Sequence, residues 1–289
     1  NYRIASVSLD TIGEILQASM SYKYREAADD SGLVEREKFM LGLLLKGLAN
    51  YNEEVSRKAL LVCGQYIFGS SRMSLDEKNT YYRYIYKKLL TLLRTDSEHD
   101  ISFYNNAAAL NHIYRFISDY RFAYGELELP ENKRIAFFPG TFDPFSGGHK
   151  GIVDAIREMG FETYLALDEF SWSKNTQPRK MRREIISMSV ASDPGVFLFL
   201  DDFPVNIANP MDIARLKTIF AGKDVYMVAG SDVIINASSY KAEPSESSIH
   251  CMNHIIFRRE SSELAEGSQE KLAAAYELIS GEIIELTLP

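Results

Sequence analysis

The feature that most constrains the fold of this chain is a regular alternation of apolar runs and amphipathic segments after about residue 130. Strand-like runs are predicted at residues 134–138, 162–167, 196–200, 224–229, 252–257 and 283–288. Helices are predicted between them at residues 148–159, 180–191, 210–221 and 268–279, with a short one at 232–238. Strands that alternate with helices build βαβ units, so we expect an α/β fold with a doubly wound parallel sheet.

In the first half of the chain, the apolar residues recur with a different spacing. Residues 1–124 follow a helical spacing throughout, as when Ile12, Leu16 and Met20 fall on one face. Consecutive helices of similar length predict an all-α domain, either an antiparallel bundle or a helical-repeat array. The polar stretch 125–133, which contains Pro130, is typical of a linker. We therefore expect a helical domain at 1–124 and an α/β domain at 134–289.

Composition excludes several classes of function. The formal net charge of −8 argues against general nucleic-acid binding, so any anion site must be a local basic patch. No apolar run approaches the roughly 20 residues of a membrane-spanning helix, and no membrane association is expected. Cys63 and Cys251 have no metal-binding spacing and are predicted to be reduced thiols, which favours a cytoplasmic location. We expect no metal site.

A glycine-rich segment joins the first predicted strand to the helix that follows it. The segment reads Gly140-Thr141-Phe142-Asp143-Pro144-Phe145-Ser146-Gly147-Gly148-His149. The N–H groups at a helix start attract anions, and glycine lets a backbone approach a ligand closely. The segment therefore predicts a phosphate-binding turn with a histidine on the first helical turn.

Polar and charged residues also follow the other predicted strands. Asp168 to Lys174 come after the second strand, Asp201-Asp202 after the third, Gly230-Ser231-Asp232 after the fourth, and Arg258-Arg259 after the fifth. Ligands of open α/β sheets bind at the carboxyl ends of strands. Five cations and no acid lie between Lys174 and Arg183, partly at a helix start where cations are disfavoured. This pattern favours a polyphosphate site.

The glycine-rich segment resembles a family signature. Gly140-Thr141-Phe142-Asp143-Pro144 followed by Ser146-Gly147-Gly148-His149 is similar to G-[ST]-F-D-P-x-[HT]-x-G-H of the nucleotidylyltransferase superfamily. The later features most resemble nicotinate or nicotinamide mononucleotide adenylyltransferases. Those enzymes have a lysine-containing loop where this chain has Lys174, and an arginine-led helix where it has Arg182 or Arg183. They have a G-[AS]-D turn where it has Gly230-Ser231-Asp232. The resemblance covers about residues 133–289.

This resemblance implies a Rossmann-like sheet and an enzyme of NAD biosynthesis. The implied reaction transfers an adenylyl group from ATP to a phosphate acceptor such as nicotinate mononucleotide and releases pyrophosphate. Small nucleotides are then the expected substrates, and Mg²⁺ is expected to accompany ATP. Because the acceptor phosphate is already anionic, no general base is needed, and positioning and electrostatic stabilisation carry the reaction.

The resemblance also implies roles for individual residues. His149, Ser146 and Lys174 are the expected catalytic residues, with His149 and Ser146 donating hydrogen bonds near the α-phosphate. The expected nucleotide-contacting residues are Gly140, Thr141, Phe142, Asp143, Gly148, Arg182, Arg183, Gly230, Ser231, Asp232 and Arg258. Asp232 would accept from a ribose hydroxyl, whereas Asp143 is expected mainly to shape its turn with Pro144. His250 and His254 flank a strand and are expected to be structural.

Two departures from the family pattern keep other functions open. Position 146 is serine where the family has histidine or threonine. The serine/threonine–arginine segment that follows the last strand in the family is absent, so we expect the α/β domain to be cut short at Pro289. The alternatives are a cytidylyltransferase, a pantetheine-phosphate adenylyltransferase, or a non-catalytic nucleotide-binding module. In the last case the helical half would dock a protein partner or another domain.

Overall fold

A computed structural model describes residues 1–21, 33, 35–96, 100–168, 176–200, 203–258 and 268–286. The chain forms two compact units. One unit comprises residues 1–130 and 187–194, and the other comprises residues 131–186 and 195–289. The first unit carries the helical N-terminal region, and the second carries the parallel sheet.

The N-terminal region is helical, as its apolar spacing predicted. Its helices are α1 (Tyr2–Ser21), α2 (Glu35–Leu48), α3 (Glu53–Val62), α4 (Leu75–Asp96) and α5 (Asp100–Tyr124). A π-helical segment, Cys63–Phe68, continues α3. A capping box precedes α4, where the backbone N–H of Ser74 donates to Glu77 at 2.7 Å and that of Glu77 donates to Ser74 at 3.2 Å.

Aromatic side chains from three segments meet in the core of the helical unit. The Phe68 ring lies 5.8 Å from that of Tyr82 and 5.3 Å from that of Phe116, and all three are buried. Edge and tilted contacts of this kind stabilise a core beyond area burial alone. Cys63 is buried beside them, and burial raises the pKa of its thiol to about 12.

The second unit is built on six parallel strands. They are β1 (Arg134–Gly140), β2 (Glu162–Leu167), β3 (Val196–Leu198), β4 (Asp224–Gly230), β5 (Asn253–Phe257) and β6 (Ile283–Leu286). Their order in the sheet is β3-β2-β1-β4-β5-β6, which is the order of the doubly wound dinucleotide-binding fold. The predicted Rossmann-like fold class is therefore confirmed.

The helices of this unit follow the strands in the predicted alternation. They are α6 (Gly147–Glu158), α7 (Arg179–Val190), α8 (Pro210–Ile219), α9 (Ser231–Asn236), α10 (Ser238–Lys241) and α11 (Ser268–Glu277). Helix α7 extends beyond this unit, since residues 187–194 group with the helical one. Asn209 caps α8 by accepting from the backbone N–H of Met211 at 3.1 Å, and Gly222 follows that helix with a φ of +77°.

The strand registers align the carboxyl ends of the strands in one row. Gly140 at the end of β1 is level with Leu167 of β2, and Gly230 at the end of β4 is level with Phe257 of β5. Arg134 pairs with Asp224 at the other end of β1 and β4, which puts Gly140 and Gly230 at the same height. Because the winding reverses between β1 and β4, this is the switch point where ligands of such sheets bind.

None of the described helices combines the length and the apolar content that crossing a membrane requires.

Candidate active site at the switch point of the sheet

The turn after β1 needs glycine at its first position. A Cβ on Gly140 would lie 2.8 Å from the ring of Phe142, which folds back over the end of the strand. Phe142 itself has a φ of +47°, in the left-handed region that a bulky residue rarely adopts. Its ring is 2% exposed, so burial of the side chain offsets the cost of this backbone conformation.

Ser146 and His149 hold each other at the start of α6. They form a capping box, in which each side chain accepts a hydrogen bond from the backbone N–H of the other residue. The Ser146 N–H donates to His149 Nδ1 at 3.0 Å, and Ser146 Oγ lies 2.8 Å from the same nitrogen. A backbone N–H can only donate, so Nδ1 is the accepting nitrogen and the neutral imidazole carries its proton on Nε2.

Phenylalanine rings surround the imidazole of His149. The Phe145 ring stacks on it at a centroid distance of 5.6 Å and an interplanar angle of 24°. The Phe142 ring meets it edge-on at 5.2 Å, and Phe138 of β1 lies 6.5 Å away. Phe138 also contacts Phe257 at the end of β5, at 5.9 Å. The sequence reasoning missed Phe138 and Phe145 as neighbours of His149, and Phe257 as a neighbour of Phe138. Their position at strand ends and inside the motif was the available signal.

Arg182 is engaged with backbone carbonyls in this structure. It is 4% exposed, and its guanidinium donates to the carbonyl of Thr141 at 2.6 Å and to that of Gln177 at 3.0 Å. Asp143 accepts from the backbone N–H of Gln177 at 2.9 Å. We name this set, Thr141, Asp143, Gln177 and Arg182, the loop latch, because it joins the glycine-rich turn to the start of α7. Asp143 thus links its turn to the loop before α7.

The other members of the basic cluster lie on or before α7. Arg183 donates to the carbonyl of Phe199, just after β3, at 3.3 Å. The first turn of α7 contains no acidic residue, in agreement with the sequence pattern. Lys174, the third predicted catalytic residue, lies outside the described residues, as do Asp201-Asp202 and Arg259.

The turn after β4 is compact. A Cβ on Gly230 would overlap the carboxylate of Asp232 and lie 3.3 Å from the ring of Phe257, so a side chain here would displace the Asp232 carboxylate. Ser231 is buried, whereas Asp232 is exposed on the first turn of α9, where an acid is favoured by the helix dipole. The carboxylate therefore lies at the end of the strand adjacent to β1.

Arg258, expected to contact the nucleotide, has an acidic partner in the sheet. Its guanidinium donates to Glu285 of β6 at 2.8 Å, and the Tyr276 hydroxyl donates to the same carboxylate oxygen at 3.0 Å. The hydrogen bond from Arg258 lowers the pKa of Glu285. The sequence showed the basic residue after β5 but not that β6 would bring a carboxylate beside it.

A buried histidine pair supports β5 and lies outside the glycine-rich turn. His254 Nδ1 donates to the carbonyl of Met252 at 2.8 Å, so its Nε2 accepts from the Tyr240 hydroxyl at 3.0 Å. Burial lowers the pKa of His254 to about 4, and His250 Nε2 lies 3.3 Å from the carbonyl of Tyr240. Both histidines are buried in hydrogen-bonded positions, as their structural interpretation predicted.

Within the ranges that the structure describes, no three histidine, cysteine, aspartate or glutamate residues are grouped so that they could hold a metal ion. Divalent Mg²⁺ is usually held by substrate phosphates and one or two carboxylates.

Comparison with known proteins gives a likeness of fold. No protein-family model matches the chain. Among solved structures, it is similar to the nicotinic acid mononucleotide adenylyltransferase of Plasmodium falciparum complexed with NaAD, with a TM-score of 0.42 and 17% identity. The match covers 55% of this chain and 76% of that one. The same enzyme complexed with APC matches with a TM-score of 0.39 at the same identity and coverage.

Proposed function

We propose that this chain is a nucleotidyltransferase that moves an adenylyl group from ATP to a phosphate acceptor, such as nicotinate mononucleotide. The observation that carries the proposal is His149, which stands on the first turn of α6 at the switch point of the sheet. Its Nδ1 is held by the Ser146 N–H, so its Nε2–H is the donating group. A neutral donor at a helix start suits a phosphate that gains negative charge during the reaction.

The proposed reaction is a single displacement at phosphorus. An acceptor phosphate oxygen forms a bond to the α-phosphorus of ATP, the bond to the bridging oxygen breaks, and pyrophosphate leaves with the electron pair. His149 Nε2–H donates to the α-phosphate oxygens, and Gly140 and Gly148 permit close backbone approach. The Ser146 hydroxyl donates to His149 Nδ1 in this structure and would turn to the α-phosphate when the nucleotide binds. Lys174 and Arg183 neutralise the phosphates, and Asp232 accepts from a ribose hydroxyl. Mg²⁺ enters with ATP and offsets the charge of its phosphates.

The loop latch limits what Arg182 contributes. Two of its N–H groups donate to backbone carbonyls, so we assign it to holding the glycine-rich turn. With two free cysteines, one of them buried, the chain fits a reducing compartment, and we place the reaction in the cytoplasm. The helical unit is proposed to dock a protein partner or another domain.

A non-catalytic nucleotide-binding module is the second candidate. Two of the expected phosphate ligands favour it, because they form hydrogen bonds within the chain itself. Arg182 donates to Thr141, and Arg258 donates to Glu285. A module of this kind would bind ATP without turning it over. It would also bind equally well when the Nε2 donor of His149 is removed.

Pyrophosphate release separates these functions. The chain is incubated with ATP or CTP and with nicotinate mononucleotide, nicotinamide mononucleotide or 4′-phosphopantetheine, and the wild type is expected to turn over ATP with a pyridine mononucleotide. Turnover with CTP alone would point to a cytidylyltransferase. ATP binding without release from any pair would favour the non-catalytic module.

Two substitutions at His149 separate its capping role from its donor role. Asparagine keeps an acceptor near the Nδ1 position for the Ser146 N–H but lacks the distal donor, whereas glutamine keeps a donor near the Nε2 position. We expect His149→Asn to reduce kcat by about 100-fold, within the range for loss of one transition-state donor, and His149→Gln to retain more activity. His112→Asn, the same change at a histidine of the helical unit, is the matched control. Unchanged turnover in His149→Asn would contradict the proposed role.

A further inference from the structure

Phe145 packs against His149 in a way that helix capping does not require. Phe145 precedes the N-cap residue Ser146, and an apolar residue in that position usually packs on the fourth helical residue. That residue is Lys150 here. The Phe145 ring instead stacks on His149, three positions into the helix, and it is only 8% exposed.

The stack and the hydrogen bond to Nδ1 restrain different properties of the imidazole. The Ser146 N–H determines which nitrogen faces the loop. It restrains the plane of the ring only in part, because the χ2 torsion of histidine has broad, shallow minima. The Phe145 ring covers one face of the imidazole and Phe142 meets its edge. Phe142 also contacts Phe145 at 5.7 Å, so the two rings support each other.

We propose that Phe145 is a positioning residue that sets the plane of the His149 imidazole and so aims its Nε2–H at the reacting phosphate. This inference rests on the proposed function, but the ring geometry is measurable without any turnover. Hydrogen bonds weaken steeply when the donor is misaligned. Loss of the stack should therefore lower kcat by about tenfold, which is less than the loss expected for a displaced catalytic group, and leave KM nearly unchanged.

The variants are chosen to separate stacking from burial. Phe145→Leu keeps an apolar side chain but removes the aromatic face, and Phe145→Tyr keeps the face. Phe220→Leu is the matched control, because Phe220 is also 8% exposed and packs on other aromatic rings, with its centroid 4.9 Å from Tyr164. All variants are compared by circular dichroism and thermal melting before any kinetic measurement.

Nuclear magnetic resonance of the histidine rings reports the stack directly. The chain has five histidines, so the ring signals of His149 are assignable with the His149→Asn variant. In the wild type, the ring protons of His149 are expected to be shifted upfield by Phe145, and its nitrogens to report the Nε2–H tautomer. The upfield shift is expected to disappear in Phe145→Leu, persist in Phe145→Tyr and stay unchanged in Phe220→Leu.

Kinetics then tests whether the stack matters for the reaction. We expect Phe145→Leu to lower kcat by about tenfold and Phe145→Tyr to keep most of the wild-type kcat. In the His149→Asn background, we expect Phe145→Leu to cause no further loss of the residual rate. A loss of the same factor in the His149→Asn background would overturn the proposal, since it would show a merely structural role. So would a kcat for Phe145→Leu within twofold of the wild type, or an equal loss in Phe220→Leu.

Failure of the proposed function gives a different result. If the wild type turns over no nucleotide pair, the ring nitrogens of His149 are followed during titration with α,β-methylene-ATP. The positioning role then requires that this probe shifts the His149 signals in the wild type and Phe145→Tyr but not in Phe145→Leu. Any other pattern overturns it.

Discussion

The unit that contains the sheet is expected to lose free energy of unfolding when the pH falls. Replacing His254 with glutamine is expected to make this loss smaller by about 2 kcal/mol. Burial lowers the pKa of His254 from 6.5 to about 4, with a smaller contribution in the same direction from His250, and against the hydrogen bond to the Met252 carbonyl. In the unfolded chain the same imidazole titrates near its usual pKa of 6.5. The unfolded state therefore binds more protons than the folded state between these two values.

The sign and size of the effect follow from this difference. Stability that depends on neutral His254 is fully present above about pH 6.5 and falls as the pH drops toward 4. Each unit of pKa difference corresponds to about 1.4 kcal/mol. Between about pH 7 and pH 5 the wild type should therefore lose about 2 kcal/mol through this one group. Glutamine cannot titrate, and its side-chain carbonyl can still accept from Tyr240.

Hydrogen exchange of buried backbone amides measures this loss within one unit. Amides of Met227 in β4 and Ile255 in β5 are followed at both pH values after correction for intrinsic exchange rates, and Leu44 of α2 serves as an internal control. The wild type should show a larger fall in opening free energy at Met227 and Ile255 than His254→Gln does, while Leu44 behaves alike in both proteins. The reasoning is refuted if the variant loses as much as the wild type.

Three further changes test contacts of the candidate site. Gly140→Ala is expected to lower activity and the melting temperature together, because the new methyl group would contact the Phe142 ring; an unchanged melting temperature would contradict this. Arg182→Lys is expected to speed hydrogen exchange in the glycine-rich turn and lower kcat, because a lysine ammonium cannot place donors where the Nε and Nη1 groups of the planar guanidinium lie; loss of ATP affinity with unchanged exchange would instead indicate direct phosphate contact. Arg258→Ala is expected to change unfolding free energy by less than about 1 kcal/mol, since its pair with Glu285 is half exposed; a loss above that range in chemical denaturation would indicate a larger role.

Much of the sheet was predictable because its signals are local. A continuous apolar run such as residues 135–138 is typical of a strand that is buried on both faces, as in a parallel sheet. The predicted ends of β2 and β4 lie within one residue of those observed. β3 was predicted two residues too long. Its regular pairing ends at Leu198, although the backbone N–H of Phe199 still donates to Leu165 at 2.8 Å.

The candidate site was predictable in position but not in its contacts. Gly140, Gly230 and His149 could be placed because glycine at a strand end and histidine at a helix start are readable from neighbouring residues alone. The contact between Arg182 and Thr141 joins residues 41 positions apart, and that between Arg258 and Glu285 joins residues 27 apart. Such partners depend on strand order and register, which no local pattern contains.

By itself, therefore, the sequence determined the α/β alternation, the glycine-rich turn and the edge of the sheet at which a ligand would bind. Only the tertiary structure decided that Arg182 bonds to the glycine-rich turn and that phenylalanine rings pack on His149. The reason is physical: backbone periodicity is set by residues within a few positions, whereas the partner of a charged or aromatic side chain is set by which distant segments pack beside it.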